Sequence, residues 1–189
     1  DSSTNIDFKQ FTINSLRQRL NLSGFYSLND SSSLTITAKN VGLTTYQMLI
    51  NPDVDTNTIV TGNIRRVEVV FNGTIENPDI KFETNSDILK VGGTKIGRLD
   101  AFINYKENYL TPDITFTNVS GTGNFKLAGG FPLINPAIRN DIDSLQRIKL
   151  LKGESVNLIA IANNFQLKVL QQLVLVFLLV VLPCLACIL

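Results

Sequence analysis

Residues 34–49 read LTITAKNVGLTTYQML, and residues 158–173 of the same chain read LIAIANNFQLKVLQQL. The two stretches align without gaps at an offset of 124 residues, and six of the 16 aligned positions are identical. Upstream, LSGF at residues 22–25 has a counterpart, LAGGF, at residues 127–131. This agreement in order predicts a duplicated unit of strand, turn, strand and short amphipathic segment. Because repeats that bury their apolar faces by stacking form elongated arrays, we expect the chain to be a piece of such an array.

Apolar residues alternate with polar ones in short runs from the first copy to the start of the second. Alternation with a period of two puts apolar side chains on one face of a half-buried sheet. The runs are separated by about 8 to 14 residues, a spacing that suits antiparallel hairpins. The sequence therefore predicts a mainly β fold with an elongated antiparallel sheet, in which the alternating runs are 34–38, 67–71, 80–82, 99–105, 114–116 and 125–127.

Clusters of Asn, Gly, Asp and Pro punctuate these runs and predict turns. They lie at residues 72–73, 77–79, 92–93, 111–113 and 121–123. Two further stretches have apolar residues at helical spacing, residues 40–50 and residues 141–152. The first would end at Asn51-Pro52 and the second at Gly153, although part of the second also has the pattern of a strand.

The composition excludes several classes of function. The chain has no His, so Ser-His-Asp or Cys-His catalysis and histidine metal ligation are impossible. A net charge of +1 without a basic run argues against a nucleic-acid partner. The glycine-containing turns lack the full phosphate-binding motifs, and the acidic residues lack the spacing of an EF-hand. We therefore predict a protein that is not an enzyme, with no catalytic residues, no metal and no cofactor.

The last 17 residues, 173–189, read LVLVFLLVVLPCLACIL and contain no charge. This length is at the short end of the range for a membrane-spanning helix, and Pro183 would bend a helix unless it lies near the end. We predict a C-terminal hydrophobic helix that is a possible transmembrane segment. Its two cysteines, Cys184 and Cys187, are interpreted as membrane cysteines rather than redox or zinc ligands.

A resemblance to a known family rests on the segment between the copies. Residues 71–80 read FNGTIENPDI, and a closing stretch at 121–129 reads GTGNFKLAG. The first segment resembles the repeat junction of the TamB family, the translocation and assembly module, which shares its architecture with AsmA-like envelope proteins. On this basis residues 1–80 are the first β repeat module with its junction, residues 81–172 are the second, and residues 173–189 are the tail.

The resemblance implies a curved sheet folded lengthwise into an open, taco-like groove. It also implies a Gram-negative cell envelope, with an anchor in the inner membrane and a periplasmic body. The implied partners are phospholipid acyl chains and an outer-membrane assembly protein of the BamA/TamA type. No catalytic residues carry over. We assign the groove lining by hypothesis to Leu34, Ile36, Val67, Val69, Phe71, Leu99, Ile103, Ile114, Phe116, Phe125 and Leu127.

The tail departs from the family, whose members usually carry the anchor at the N-terminus. It can be an unusual anchor or the product of a frameshift, which would make the chain a fragment. Two rivals remain open at this point. Four glycosylation sequons, at Asn21, Asn29, Asn72 and Asn118, support a single-pass membrane-anchored β-sandwich surface protein that acts as a binding module. The other rival is a paired-carboxylate hydrolase, although nothing in the sequence singles out such a pair.

Overall fold

The computed structural model describes residues 5–27, 30–44, 59–134 and 155–165. These residues form one sheet of eleven strands. In chain order the strands are β1 (Asn5–Ser15), β2 (Gln18–Ser27), β3 (Ser32–Gly42), β4 (Val60–Thr61), β5 (Asn63–Gly73), β6 (Pro78–Ser86), β7 (Leu89–Val91), β8 (Thr94–Lys106), β9 (Tyr109–Asn118), β10 (Asn124–Pro132) and β11 (Asn157–Asn163).

The sheet is antiparallel and open. Its main path runs β1-β2-β3-β5-β6-β8-β9-β10-β11, and every ladder along it is antiparallel. The short strands β4 and β7 pair beside this path. In the part of the chain that the structure describes, no ladder joins β1 to β11. The prediction of a mainly β, antiparallel fold is therefore confirmed, whereas the predicted C-terminal helix at residues 173–189 lies outside the described residues.

The register places like residues opposite one another, so that rows of apolar residues, interrupted once by Thr84, cross the strands. One row crosses seven strands of the path and another crosses all nine. The first consists of Phe11, Leu22, Ile36, Val69, Phe82, Ile103 and Pro112. The second consists of Ile13, Leu20, Ala38, Val67, Thr84, Ala101, Ile114, Leu127 and Ala160. Such cross-strand pairs stabilise a sheet and fix its register, because a slip by one residue would expose every apolar side chain.

The two copies of the repeat share their backbone geometry. In the first copy Gly24 lies opposite Leu34, and in the second Gly129 lies opposite Leu158. Both glycines have a positive φ, 114° and 121°. A Cβ atom would meet a backbone oxygen at 2.0 Å in the first copy and at 1.7 Å in the second. Glycine is therefore required at both positions, since only glycine combines this φ with so close an approach of the backbone.

The turns agree with the sequence in part. Gly92-Gly93 forms the turn between β7 and β8, and Gly121 lies in the turn between β9 and β10. The predicted turn at residues 111–113 is wrong, because these residues lie inside β9. The turn comes earlier, at Glu107-Asn108, where both residues have a positive φ, as a tight hairpin turn requires.

The segments 72–73 and 78–79 also belong to strands, and the turn between β5 and β6 occupies residues 74–77.

Pro112 is tolerated inside β9 because the neighbouring ladder is interrupted there. The β9–β10 register pairs Asp113 with Ala128 and then Leu110 with Phe131, without partners for the residues between. Proline has no N–H to donate, so it fits at a break in a ladder. Its side chain is buried and faces Ile103.

The predicted helix at residues 40–50 begins too early. Residues 40–42 continue strand β3, and in the described part of this stretch, residues 40–44, Leu43 and Thr44 are helical. Strand pairing overrides the helical spacing here, since Val41 pairs with Ile64 and Gly42 with Asn63. Residues 45–50 and the second predicted helix, 141–152, lie outside the described residues. Among the segments that the structure describes, no helix has the length and hydrophobicity needed to cross a membrane.

Candidate functional site: the apolar face of the sheet

All eleven residues assigned to the groove lining lie on one face of the sheet. Their positions in the ladders place them on the same side as Phe82 and Ala101. We call this side the apolar face. Six of the eleven are buried and five are half-buried. The buried ones lie on the central strands, namely Val69, Phe71, Leu99, Ile103, Ile114 and Phe116. The half-buried ones are Leu34 and Ile36 on β3, Val67 on β5, and Phe125 and Leu127 on β10.

The centre of the apolar face is sealed from solvent. Phe82 is fully buried, and Ile103, Phe116 and Tyr105 are each 1% exposed. Phe165, which follows β11, packs edge-on against Phe116 with ring centroids 5.8 Å apart. These central residues form a core, and a ligand that does not open the sheet cannot reach them.

The assignment from sequence missed other members of this core. Ile80 and Phe82 on β6, Tyr105 on β8 and Leu110 on β9 are buried on the same face. All except Leu110 belong to alternating runs in the sequence, so the alternation contained the signal. The sequence did not predict that Leu110 lies on the apolar face, because the turn wrongly predicted at residues 111–113 separated Leu110 from the rest of β9.

The flank formed by β1, β2 and β3 is an accessible part of the apolar face, and at the other end of the sheet Leu158 on β11 is also exposed on that face. Phe11 and Ile13 on β1 are 50% and 48% exposed. They lie opposite Leu22 and Leu20, which are half-buried, and Leu22 lies opposite Ile36. We call these five residues the apolar flank. The sequence assignment included only Ile36 of the five, although the alternation of Phe11 with Ile13 and of Leu20 with Leu22 was visible.

The opposite face of the sheet is polar. On β1 to β3 a hydrogen-bonded row crosses the strands: the Thr12 hydroxyl donates to Asn21 Oδ1 at 3.0 Å, and Asn21 Nδ2 donates to Thr37 Oγ1 at 3.1 Å. Further along, Arg66 pairs with Glu68, and Lys126 Nζ lies 3.2 Å from Asp113 Oδ1. The apolar face is therefore the larger continuous apolar surface of the described sheet, while exposed apolar side chains on the polar face, such as Phe25 and Phe102, are separate from one another.

Tyr105 brings a titratable group into the apolar face. Its hydroxyl lies 3.1 Å from Asn108 Oδ1 and 3.1 Å from the carbonyl oxygen of Leu133, to which it can donate. Desolvation by burial raises the pKa of Tyr105 to about 12, because the phenolate would lose its hydration. The group therefore stays protonated and serves as a hydrogen-bond donor at the end of a core strand.

Within residues 5–27, 30–44, 59–134 and 155–165, no group of three or more Cys, Asp or Glu side chains is placed to hold a metal ion. Comparisons with protein-family models, with curated proteins and with solved structures find no match to this chain.

Proposed function

We propose that the chain belongs to an envelope scaffold or lipid conduit of the translocation and assembly module type, in which the apolar face holds phospholipid acyl chains. The observation that carries the proposal is a predominantly apolar face that crosses an open sheet, is buried at its centre and is half exposed at the apolar flank. Such a protein would support outer-membrane protein assembly, phospholipid transport between membranes, or both.

The physical argument starts from the free energy of an acyl chain in water. Removing one CH2 group from water is worth about 0.8 kcal/mol, so a chain of many such groups gains much from a long apolar surface. Rows of similar side chains offer many weak and nearly equivalent contacts. A bound chain could therefore move along the apolar flank without meeting one deep energy minimum.

The distribution of burial supports a sheet that folds lengthwise around its apolar face. A curved, groove-like sheet would bury the middle of that face and leave its flanks accessible, in agreement with the contrast between Phe82 and Phe11. The described strands all belong to one sheet, whereas a β-sandwich has two packed sheets. This argues for the conduit over the rival surface-protein interpretation.

The setting rests on the resemblance in residues 71–80 and 121–129. It places the body in the periplasm of a Gram-negative envelope, with an inner-membrane anchor and an outer-membrane partner of the BamA/TamA type. The two repeat modules, residues 1–80 and 81–172, would then contribute successive stretches of one groove. No catalytic step is part of this proposal.

The proposal is tested by binding of a fluorescent fatty acid with a long saturated chain to the purified full chain. Phe11→Asn is the informative variant, because Phe11 is exposed on the apolar flank and its replacement leaves the buried core intact. Phe102→Asn is the matched control, since Phe102 is 43% exposed on the polar face. Losing contact with about two CH2 groups corresponds to a roughly tenfold weaker affinity.

We expect this loss for Phe11→Asn and an unchanged affinity for Phe102→Asn. Equal affinities of both variants and the unmodified chain would contradict the proposal, as would a failure of the unmodified chain to bind the fatty acid. Far-ultraviolet circular dichroism of each variant checks that the sheet is retained.

A further inference from the structure

Among the residues that the structure describes, strand β11 ends the sheet path, and it has the composition of an interior strand. All seven of its residues are exposed, and it reads NLIAIAN, without a charge or a proline. Apolar side chains lie on both faces, with Leu158 towards the apolar face and Ile159 and Ile161 towards the polar one. Edge strands are normally protected by charges, prolines or bulges. Strand β1, at the other end, has such features, namely Asp7, Lys9 and a bulge between Phe8 and Phe11.

Strand β11 is the structural equivalent of β3. Gly24 on β2 and Gly129 on β10 have similar positive φ angles. Gly24 lies opposite Leu34 and Gly129 lies opposite Leu158. In both cases the nearest backbone oxygen belongs to the residue that precedes this leucine. The match continues beyond the paired residues. Asn40 and Asn164, which are also 124 residues apart, both have a positive φ, 55° and 48°. The pair β10–β11 therefore repeats the pair β2–β3.

Strand β3 pairs with β2 on one edge and with β5 on the other. Because β11 is equivalent to β3, strand β5 shows which kind of strand the free edge of β11 should pair with. Strand β5 pairs antiparallel with β3, and Phe71, Val69 and Val67 lie opposite Leu34, Ile36 and Ala38. The offset of 124 transfers these three positions of β3 to Leu158, Ala160 and Ala162. Two of these are alanines, which leave space for large side chains on an incoming strand.

We propose that the open edge of β11 binds, in antiparallel register, an extended protein segment that has the pattern of β5. Such a segment has three large apolar residues at alternate positions, which would complete the apolar face as Val67, Val69 and Phe71 do on β5. Addition of a strand to an exposed sheet edge combines main-chain hydrogen bonds with side-chain selection at alternate positions. This inference is independent of the lipid proposal, because it concerns the edge of the sheet and not a ligand on its face.

The register can be tested by disulfide formation with a synthetic peptide of residues 63–73, the β5 sequence. In the proposed register Val69 of the peptide lies opposite Ala160, so Ala160→Cys in the protein should form a disulfide with a Val69→Cys peptide. Opposed residues in an antiparallel pair have Cα atoms about 4.5 to 5.5 Å apart, which a disulfide can bridge. The Val70→Cys peptide is the control, because its cysteine points to the other face. Cys184 and Cys187 are replaced by serine throughout.

We expect at least tenfold more disulfide with the Val69→Cys peptide than with the Val70→Cys peptide. A second register position, Ala162→Cys with a Val67→Cys peptide, guards against a folding defect of one variant. Equal yields from the two peptides at both positions would overturn the proposal. So would a disulfide between two Ala160→Cys protein chains that excludes the peptide, because the edge would then bind a second copy.

Side-chain selection is tested separately by fluorescence anisotropy with a labelled peptide. A control peptide of the same composition exchanges Val67 with Glu68 and Phe71 with Asn72, which moves two of the three large apolar side chains to the other face and leaves Val69 and Val70 as they are. We expect the native-order peptide to bind at least tenfold more tightly. Equal affinity for both peptides would overturn the proposed selection of alternate apolar residues.

Discussion

Phe82 and Phe102 lie on the adjacent strands β6 and β8 but on opposite faces of the sheet. Phe82 pairs with Ile103 and is fully buried, whereas Phe102 pairs with Glu83 and is 43% exposed. The same side-chain type therefore experiences two environments within one ladder. This pair makes the difference between the two faces measurable.

We expect Phe82→Ala to lower the free energy of unfolding by about 3 to 5 kcal/mol, because it leaves a cavity in the centre of the apolar face. Phe102→Ala should cost less than about 1 kcal/mol, since surface substitutions away from special features have small effects. Urea denaturation of both variants measures the difference. Similar losses of stability in the two variants would contradict the assignment of the faces.

The repeat predicts that two distant glycines behave alike. Gly24→Ala and Gly129→Ala should each destabilise the protein by more than about 2 kcal/mol, because alanine combines a strained φ with a clash against a backbone oxygen. Gly93→Ala is the control, with a φ of 80° but no atom within 4 Å of its Cβ position. Its loss should be clearly smaller, about 1 kcal/mol. Denaturant unfolding of the three variants measures their losses of stability. Equal losses in all three would contradict the prediction that contact with the backbone oxygen is what requires glycine at positions 24 and 129.

Ser86 is expected to matter because of a buried hydrogen bond. The backbone N–H of Leu99 donates to Ser86 Oγ at 2.8 Å, and both residues are buried. Ser86→Ala should cost about 1 to 3 kcal/mol, since the N–H would lose its partner without gaining water. Hydrogen exchange at the Leu99 amide should accelerate in this variant. Unchanged exchange and stability would mean that the hydroxyl does not serve that amide.

The raised pKa of Tyr105 predicts a loss of stability in alkaline solution. The phenol ionises near pH 10 in the unfolded chain and near pH 12 in the fold, so its contribution is fully present below pH 10 and is lost as the pH rises towards 12. Unfolding free energies measured from about pH 8 upward should fall less steeply for Tyr105→Phe than for the unmodified chain. At about pH 8 the phenol is protonated in both the folded and the unfolded chain, so the difference in unfolding free energy between the two proteins at this pH reports only the lost hydrogen bond. Parallel pH profiles would contradict the prediction.

Much of the sheet could be predicted from residue order, because alternation and register are local properties. The faces of residues 34–38, 67–71 and 99–105 follow directly from a period of two, and the structure confirms them. The turn after β8 was missed because Glu107-Asn108 lacks the usual glycine, while Thr111-Pro112-Asp113 resembles a turn. Only the interrupted pairing with β10 shows why Pro112 can lie in a strand.

Degrees of burial within the candidate site could not be predicted in this way. The sequence pattern of Val69 resembles that of Ile36, yet the first is buried and the second is half-buried. The difference depends on position across the sheet, which is set by long-range pairing. The role of Phe11 and Ile13 as an accessible flank emerges only when β1 is placed at the end of the path.

The central claim is that the apolar face holds acyl chains, and site-specific photocrosslinking in the envelope of a Gram-negative host tests it most directly. A benzophenone amino acid is placed at Phe11 on the apolar flank and, in a separate protein, at Phe102 on the polar face. Adducts are identified by mass spectrometry of the purified full chain. The account predicts phospholipid adducts through the acyl chain at Phe11 and none at Phe102. Equal adducts at both positions, or none at either, would contradict it.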